Sequence, residues 1–266
     1  MTVRLEGESL AALSAVASAE VLLTEHVDRR VIDIKESRRD IVTSLDLRLE
    51  RHITESLSGI GVPVVGEEAW AVEKSLPPRG STYWLVDPID GTVNLVHGLP
   101  YFAISVGLSV EGEFRVGAVT LPAVKELYFT FGDECAFMNG RLLKVPSAEL
   151  GQSLVGVSFP GRGGPDRAAH FVRFARVNDR TRGCLRLGSA AAMLCLVAAG
   201  RLQAAYGFNA KLWDVAGGIA VASRAGCEVW TDHHLTSPSL DYIVAAPGVG
   251  EPLRALLGDE RPEGPE

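Results

Sequence analysis

The feature that most narrows the possible folds is a change of texture near residue 146. Before it, apolar runs at 101–110, 113–121, 126–131 and 135–138 are separated by Glu111-Gly112, Pro122 and Gly132-Asp133. Turn residues between strand-length runs predict an antiparallel meander. After it, strand-like segments at 154–158, 184–187, 203–206, 228–230 and 242–245 are interleaved with helical ones at 166–177, 190–199 and 215–225. That alternation predicts an α/β arrangement. We therefore expect an α+β first part over 1–146, an α/β second part over 147–258 and a frayed tail over 259–266, rich in charge, Pro and Gly.

Two helices are expected at the front, over 8–25 and 41–57. The first carries Leu10, Leu13, Ala17, Val21 and Leu22 at helical spacing, and the second Leu45, Leu49 and Ile53, with Thr43 or Ser44 as cap. The charged stretch VDRRVIDIKESRRD lies between them and reads as exposed. A chain of 266 residues with 26 Lys+Arg, 33 Asp+Glu and net charge −7 is a poor broad binder of nucleic acid or of an anionic membrane. Cys135, Cys184, Cys195 and Cys227 form no CxxC pair and have apolar neighbours, which favours reduced thiols and a cytoplasmic setting. The start, MTVRLEGESL, has no apolar core of a signal peptide. The longest apolar stretch, 187–200, is too short for a bilayer core of about 30 Å.

The chemistry-bearing residues sit at element ends. A short strand over 63–65 runs into Gly66-Glu67-Glu68, and a buried strand over 83–86 runs into Asp87-Pro88-Ile89-Asp90-Gly91-Thr92. Trp213-Asp214 precedes a helix of small residues, and Asp46 lies early in the second helix. The proline fixes the backbone between the two aspartates, and Gly91 permits close approach to a ligand. Thr92 adds a hydroxyl, and free amides at a helix start can hold phosphate oxygens. Carboxylates this close repel one another, and a hard divalent cation such as Mg²⁺, completed by water and a substrate phosphate, resolves that. Alone, the DPxDG segment serves equally well as a polar turn; the other two acidic clusters move the reading toward a metal site.

With these segments in hand, the chain resembles the inositol monophosphatase family, within the wider group of lithium-sensitive, metal-dependent sugar and nucleotide phosphatases. The resemblance rests on WLVDPIDGTVNLVHGLPYFAISVGL (84–108) and WDVAGGIAVASRAGCEV (213–229). It is supported by DIVTSLD (40–46), GEE (66–68) and LGSAAAMLCLVAAG (187–200). It implies a layered αβαβα sandwich of the inositol monophosphatase and fructose-1,6-bisphosphatase type, a homodimer and inhibition by Li⁺. It implies two or three Mg²⁺ ions. Glu67, Asp87 and the Ile89 carbonyl would hold the first and Asp87, Asp90 and Asp214 the second, with Glu67 also serving a weaker third. Thr92 and Asp46, with Glu67, would orient and activate the attacking water. Asp90, Gly91, Thr92 and Asp214 would meet the substrate phosphate and its surroundings, and Gly188, Ser189 and Ala190 would line the alcohol portion. Lys35 matches a lysine on a loop that closes over the metals. The implied activity is hydrolysis of a small phosphate monoester, inositol 1-phosphate or a related polyol or sugar phosphate, by metal-activated water. Relatives on the same scaffold serve histidinol phosphate, fructose 1,6-bisphosphate and 3′-phosphoadenosine 5′-phosphate. A non-catalytic binding or regulatory protein is the rival from another class.

The pattern departs at Gly207, where inositol-specific relatives usually carry a glutamate. Asn209 and Lys211 offer alternative polar contacts there, although Lys211 reads more readily as part of a solvated loop. Arg29, Arg30, Arg38 and Arg39 read as a solvated loop, and Gly161–Gly164 as a connector, since no GK[ST] follows. His233-His234 and His97 read as surface histidines, Trp213 as a packing anchor for Asp214, and Glu68 as support for Glu67.

Overall fold

A computed structural model of the chain describes residues 5–25, 31–34, 41–78, 80–159, 166–233 and 238–258. In chain order its elements are α1 (Glu6–Glu25), β1 (Val31–Ile34), β2 (Ile41–Thr43), α2 (Ser44–Ser58), β3 (Val64–Gly66), α3 (Glu67–Glu73), β4 (Tyr83–Asp90) and α4 (Thr92–Val96). The meander follows as β5 (Ala103–Val110), β6 (Glu113–Leu121), β7 (Glu126–Phe131), β8 (Cys135–Met138) and β9 (Arg141–Leu142). Then come β10 (Leu154–Ser158), α5 (Arg167–Asn178), β11 (Gly183–Leu185), α6 (Ala190–Ala198), β12 (Ala204–Lys211), α7 (Leu212–Arg224), β13 (Glu228–His233), β14 (Ser239–Ala245) and α8 (Gly250–Leu257).

Strands β3 to β9 form one sheet in sequence order, antiparallel except for the β3–β4 pair. The second sheet has the order β11-β10-β12-β14-β13, parallel across its first three strands and antiparallel across the rest. Helices α1 and α2 cover one face of the larger sheet. Helices α6 and α7 lie between the sheets, and α5 and α8 pack at β11 and β14 of the smaller one. The result is the expected αβαβα layering. One continuous core joins side chains of both sheets to α6 and α7, from Val65 and Leu85 to Leu253 and Leu257. Alternation along β4 explains how one strand serves two cores: Trp84 and Val86 face α1 and α2, and Leu85 faces the middle layer.

Glycines bring α7 unusually near the larger sheet. A Cβ on Gly107 would lie 2.6 Å from the Ala216 Cβ, and one on Gly117 would lie 2.2 Å from the Gly217 carbonyl oxygen. Only backbone without side chains can approach that closely. The first turn of α7 is thereby carried to the end of β4.

Several expectations need correction. The α1 stripe is rotated: Leu10 and Val21 are exposed, and the buried residues of the helix are Ser9, Ala12, Ala15, Val16, Ala19 and Leu23, with Leu5 buried just before it. Alanines on the inner face let the helix lie close to the sheet, so the larger side chains are displaced outward. Residues 6–24 of α1 are long and apolar enough to meet the length-and-composition test for a membrane span, a feature the sequence reading passed over; here the small-residue stripe packs on β5, β6 and β7. Helix α2 starts at Ser44 because Ile41–Thr43 pairs with β1, a strand inside the stretch read as an exposed charged segment. Helices α3, α4 and α8 and strand β9 were not foreseen, being too short to display a period.

Candidate active site

Glu67 and Asp87 come together through strand register. Parallel pairing sets Gly66 opposite Val86, so the residues that follow leave two adjacent strand ends side by side. Asp87 and Asp90 would face opposite sides of a regular strand. Pro88 supplies no amide donor, and the β4–β5 ladder slips between Asp87 and Asp90. That irregularity buries both carboxylates, at 1% and 8% exposure. Asp87 Oδ1 accepts from Ile89 N at 3.0 Å. Asp90 Oδ2 accepts from Ser189 Oγ at 2.7 Å and from Ala191 N at 2.6 Å, at the start of α6. Asp214 stands in the first turn of α7, where a negative side chain suits the helix dipole.

Burial and mutual repulsion act on these groups together. Burial pushes the Asp87 carboxyl well above the ordinary aspartate range, and the charges of Glu67, Asp90 and Asp214 add to that. Burial lifts Asp90 to about 7 against the hydrogen bonds from Ser189 and Ala191, with Glu67 adding to the rise. Asp214 is raised well above the usual value by desolvation, then by Asp90 and Glu67, while Lys211 lowers it. The four acids thus share one electrostatic site. Glu67 and Asp214 are only half-buried, so the site has a solvent-facing side.

Asp46 approaches from α2. It closes the helix capping box with Thr43, and its Oδ1 accepts from Thr92 Oγ1 at 3.1 Å. Burial raises its carboxyl, opposed by the Thr43 and Thr92 hydrogen bonds and assisted by the Glu67 charge. Thr92 Oγ1 also lies 3.0 Å from the Ile89 carbonyl oxygen. Gly91 adopts a φ of 94° and ends β4 against the loop before α6; a Cβ there would lie 3.2 Å from Gly188 O. Gly188 is exposed, while Ser189 and Ala190 are buried. Asn94 ties the two loops by donating to Leu187 O at 2.7 Å.

The donor set is hard oxygen throughout, which fits Mg²⁺ rather than a softer ion. No three Asp, Glu, His or Cys side chains among the described residues are drawn in tightly enough to make a ready-formed cage. Asp90 is tethered to Ser189 and Ala191, while the Asp87 and Glu67 carboxyls lie within hydrogen-bonding reach of each other.

The chain matches the model described as "Inositol monophosphatase family" over residues 7–257. The chain belongs to the inositol monophosphatase family. It is 36% identical over 236 residues to the "Inositol-1-monophosphatase SuhB" of Mycobacterium tuberculosis, covering 84% of this chain and 80% of that protein. It is 33% identical over 223 residues to the "Nus factor SuhB" of Pseudomonas aeruginosa, covering 81% and 82%. The solved structure "Mycobacterium tuberculosis SuhB" superimposes with a TM-score of 0.75 at 32% identity, covering 96% of each chain.

The remaining candidates fall as follows. Lys35, Arg29, Arg30, Arg38, Arg39, Gly161–Gly164, His234 and the tail over 259–266 lie outside the described residues. His97 is exposed at the end of α4. His233 lies against Phe114, with ring centroids 5.6 Å apart, away from the acidic site. Trp213 is buried and tilts against Trp70 at 5.4 Å, and Lys211 lies over the Trp70 ring at 5.5 Å. Asn209 lies at the irregularity of β12 and is engaged with β14, its backbone amide donating to Asp241 Oδ1 at 2.8 Å and its Oδ1 accepting from Ser239 Oγ at 2.6 Å.

Two residues at the site escaped the sequence reading. At Gly207 the Tyr242 ring takes the space of a side chain: a Cβ there would lie 2.3 Å from Tyr242 Cε1. Tyr242 is buried, feels the charges of Asp90 and Asp214, and its hydroxyl finds no hydrogen-bond partner among the described residues. No sequence signal pairs positions 207 and 242, because only strand register makes them neighbours. Glu50 is the other. It is buried within the α2 stripe of Leu45, Leu49, Ile53 and Leu57. An acid inside an apolar stripe is a signal that could have found it.

Proposed function

We propose that the chain is a Mg²⁺-dependent phosphatase that hydrolyses a small phosphate monoester, inositol 1-phosphate or a related polyol or sugar phosphate. The observation that carries this reading is the convergence of Glu67, Asp87, Asp90 and Asp214 into one mutually repelling cluster. So many acids brought together against their own repulsion need a cation to neutralise them. Glu67, Asp87 and the Ile89 carbonyl would hold one ion and Asp87, Asp90 and Asp214 a second, with Glu67 also serving a third. When bound, Mg²⁺ supplies charge neutralisation and lowers the pKa of a water.

The chain's own residues do the rest. Thr92 Oγ1, donating to Asp46 Oδ1, keeps its lone pairs free to take a hydrogen bond from the attacking water. Glu67 would help to orient that water. The Gly91 and Thr92 amides would meet the phosphate oxygens, since no side chain caps α4. In-line displacement asks the protein mainly for positioning and charge neutralisation. No serine or cysteine nucleophile takes part, so inversion at phosphorus is expected, and a chiral thiophosphate ester checks it. The Tyr242 ring fills the space a side chain at position 207 would take, so that position offers inositol hydroxyls no carboxylate, and histidinol phosphate, fructose 1,6-bisphosphate and 3′-phosphoadenosine 5′-phosphate stand as alternative substrates. A homodimer in the cytoplasm, inhibited by Li⁺, belongs to the same proposal.

The relative named Nus factor SuhB favours a second reading, a binding or regulatory protein on this scaffold. A screen of phosphate monoesters at saturating Mg²⁺, ranked by kcat/KM, separates the two. The phosphatase reading expects turnover that stops with a chelator. Absence of turnover on every ester would overturn it in favour of the regulatory one.

A further inference from the structure

Helix α2 carries two buried acids one turn apart, Asp46 and Glu50. Asp46 holds Thr92. Glu50 reaches the other way, across to α3. Its Oε2 accepts from Glu68 N and its Oε1 from Ala69 N, both at 2.8 Å. These amides belong to the opening turn of α3, and Glu67 is the first residue of that helix. Gly66, the residue before it, offers no side-chain cap of its own. A Cβ on Gly66 would lie 2.3 Å from the Glu50 carboxyl carbon, so the carboxylate fits only because this position is glycine.

We propose that Glu50 is a positioning residue of the metal site: by clamping the first-turn amides of α3 it fixes Glu67 beside Asp87, and Mg²⁺ affinity depends on it although it never touches the ion. This rests on the phosphatase reading above. Hydrogen bonds from amides to an ionised carboxylate are short, strong and directional, and two of them from one carboxylate set both the position and the rotation of a short helix. Helix α3 spans only Glu67–Glu73 and ends at a left-handed Lys74, so a clamp on its first turn orients the whole helix, on top of the register that β3 already sets. Helix α2 then acts as a ruler. One face fixes Thr92 through Asp46 and Glu67 through Glu50, and so sets the gap between the two groups that orient the attacking water.

The clamp breaks in two independent ways. Glu50→Gln keeps the volume but sets an NH₂ group against one of the two amides. Gly66→Ala leaves Glu50 in place and pushes its carboxylate away. Mg²⁺ binding to the full chain, measured by isothermal titration calorimetry, is the readout, alongside the Mg²⁺ concentration for half-maximal phosphate release. Both variants are expected to weaken Mg²⁺ binding about tenfold or more, the scale set by groups that orient metal ligands. The KM for the ester at saturating Mg²⁺ should stay at the wild-type value. Folding is checked by circular dichroism, and either folded variant suffices. Folded variants that bind Mg²⁺ as wild type does, with only the melting temperature lowered, would overturn the proposal and leave Glu50 a structural cap. A wild-type protein that binds no Mg²⁺ would overturn the phosphatase reading itself, and this proposal with it.

Discussion

The two ends of α7 treat carboxylates in opposite ways. At its start, Asp214 joins Asp87, Asp90 and Glu67, and burial with mutual repulsion raises the aspartates. At its finish, Arg224 reaches Asp133 at 3.1 Å, and Arg115 holds the same carboxylate from β6 through its Nε at 2.9 Å. The two guanidinium groups, Arg115 first, hold Asp133 below the ordinary aspartate range. A polar cavity of about 750 Å³ opens there, among Phe114, Arg115, Asp133, Arg224 and His233. This opening is therefore not where the unbalanced charge lies. A paired acid contributes to stability, whereas acids crowded together without a counter-charge cost stability, and such a cost is characteristic of functional sites.

The sharpest way to break this contrast is to neutralise one acid at each end. Asp90→Asn or Asp214→Asn should lower phosphate release on the order of 10²- to 10³-fold, the scale of losing one preorganised electrostatic group. The metal-free variants should melt at a higher temperature than wild type, because one repelling charge is gone. Asp133→Asn should do the reverse, losing about 1–3 kcal/mol in urea unfolding as two arginines lose their partner, with phosphate release unchanged. Equal effects at both ends would erase the distinction.

Thr92→Val tests the site with its charges intact. It removes only the hydroxyl between Asp46 and the water, and kcat should fall about tenfold to a hundredfold, with Mg²⁺ binding preserved. The pH dependence of stability sharpens the comparison further. Asp90 prefers its proton in the folded chain, so its contribution is complete below the unfolded value of 3.8 and is lost as pH rises through about 7. Asp133 has the opposite sign: its contribution is present above 3.8 and is lost as pH falls through its lowered folded value. Melting curves without metal should therefore decline from pH 4 toward neutrality in wild type, and Asp90→Asn should flatten that decline. The smallest effect is expected from Ser189→Ala, which removes the α6 cap and one hydrogen bond to Asp90, for about 1 kcal/mol.

Much of this was legible in the sequence because strand ends and turn residues mark themselves. The run over 83–86 ending in Asp87, and the small-residue helix at Asp214, mark the two acidic segments that the fold brings together. Order along the chain conveys a meander followed by alternating strands and helices; the layering itself was implied by the family resemblance. What stayed hidden depended on register and helix rotation. The α1 face was misread because the inward stripe is mostly alanine, with Val16 and Leu23, while Leu10 and Val21 point out. The seating of Tyr242 over Gly207 follows from one cross-strand pair. Glu50 was passed over because an acid in a stripe reads as surface until its amide partners on α3 are visible.

The account stands most directly on whether divalent metal is what these acids are for. Chelator-stripped protein supplied with a phosphate monoester should release no phosphate until Mg²⁺ is added, and Asp214→Asn should respond to Mg²⁺ far more weakly. Phosphate release that is indifferent to Mg²⁺, or that survives Asp214→Asn undiminished, would contradict it.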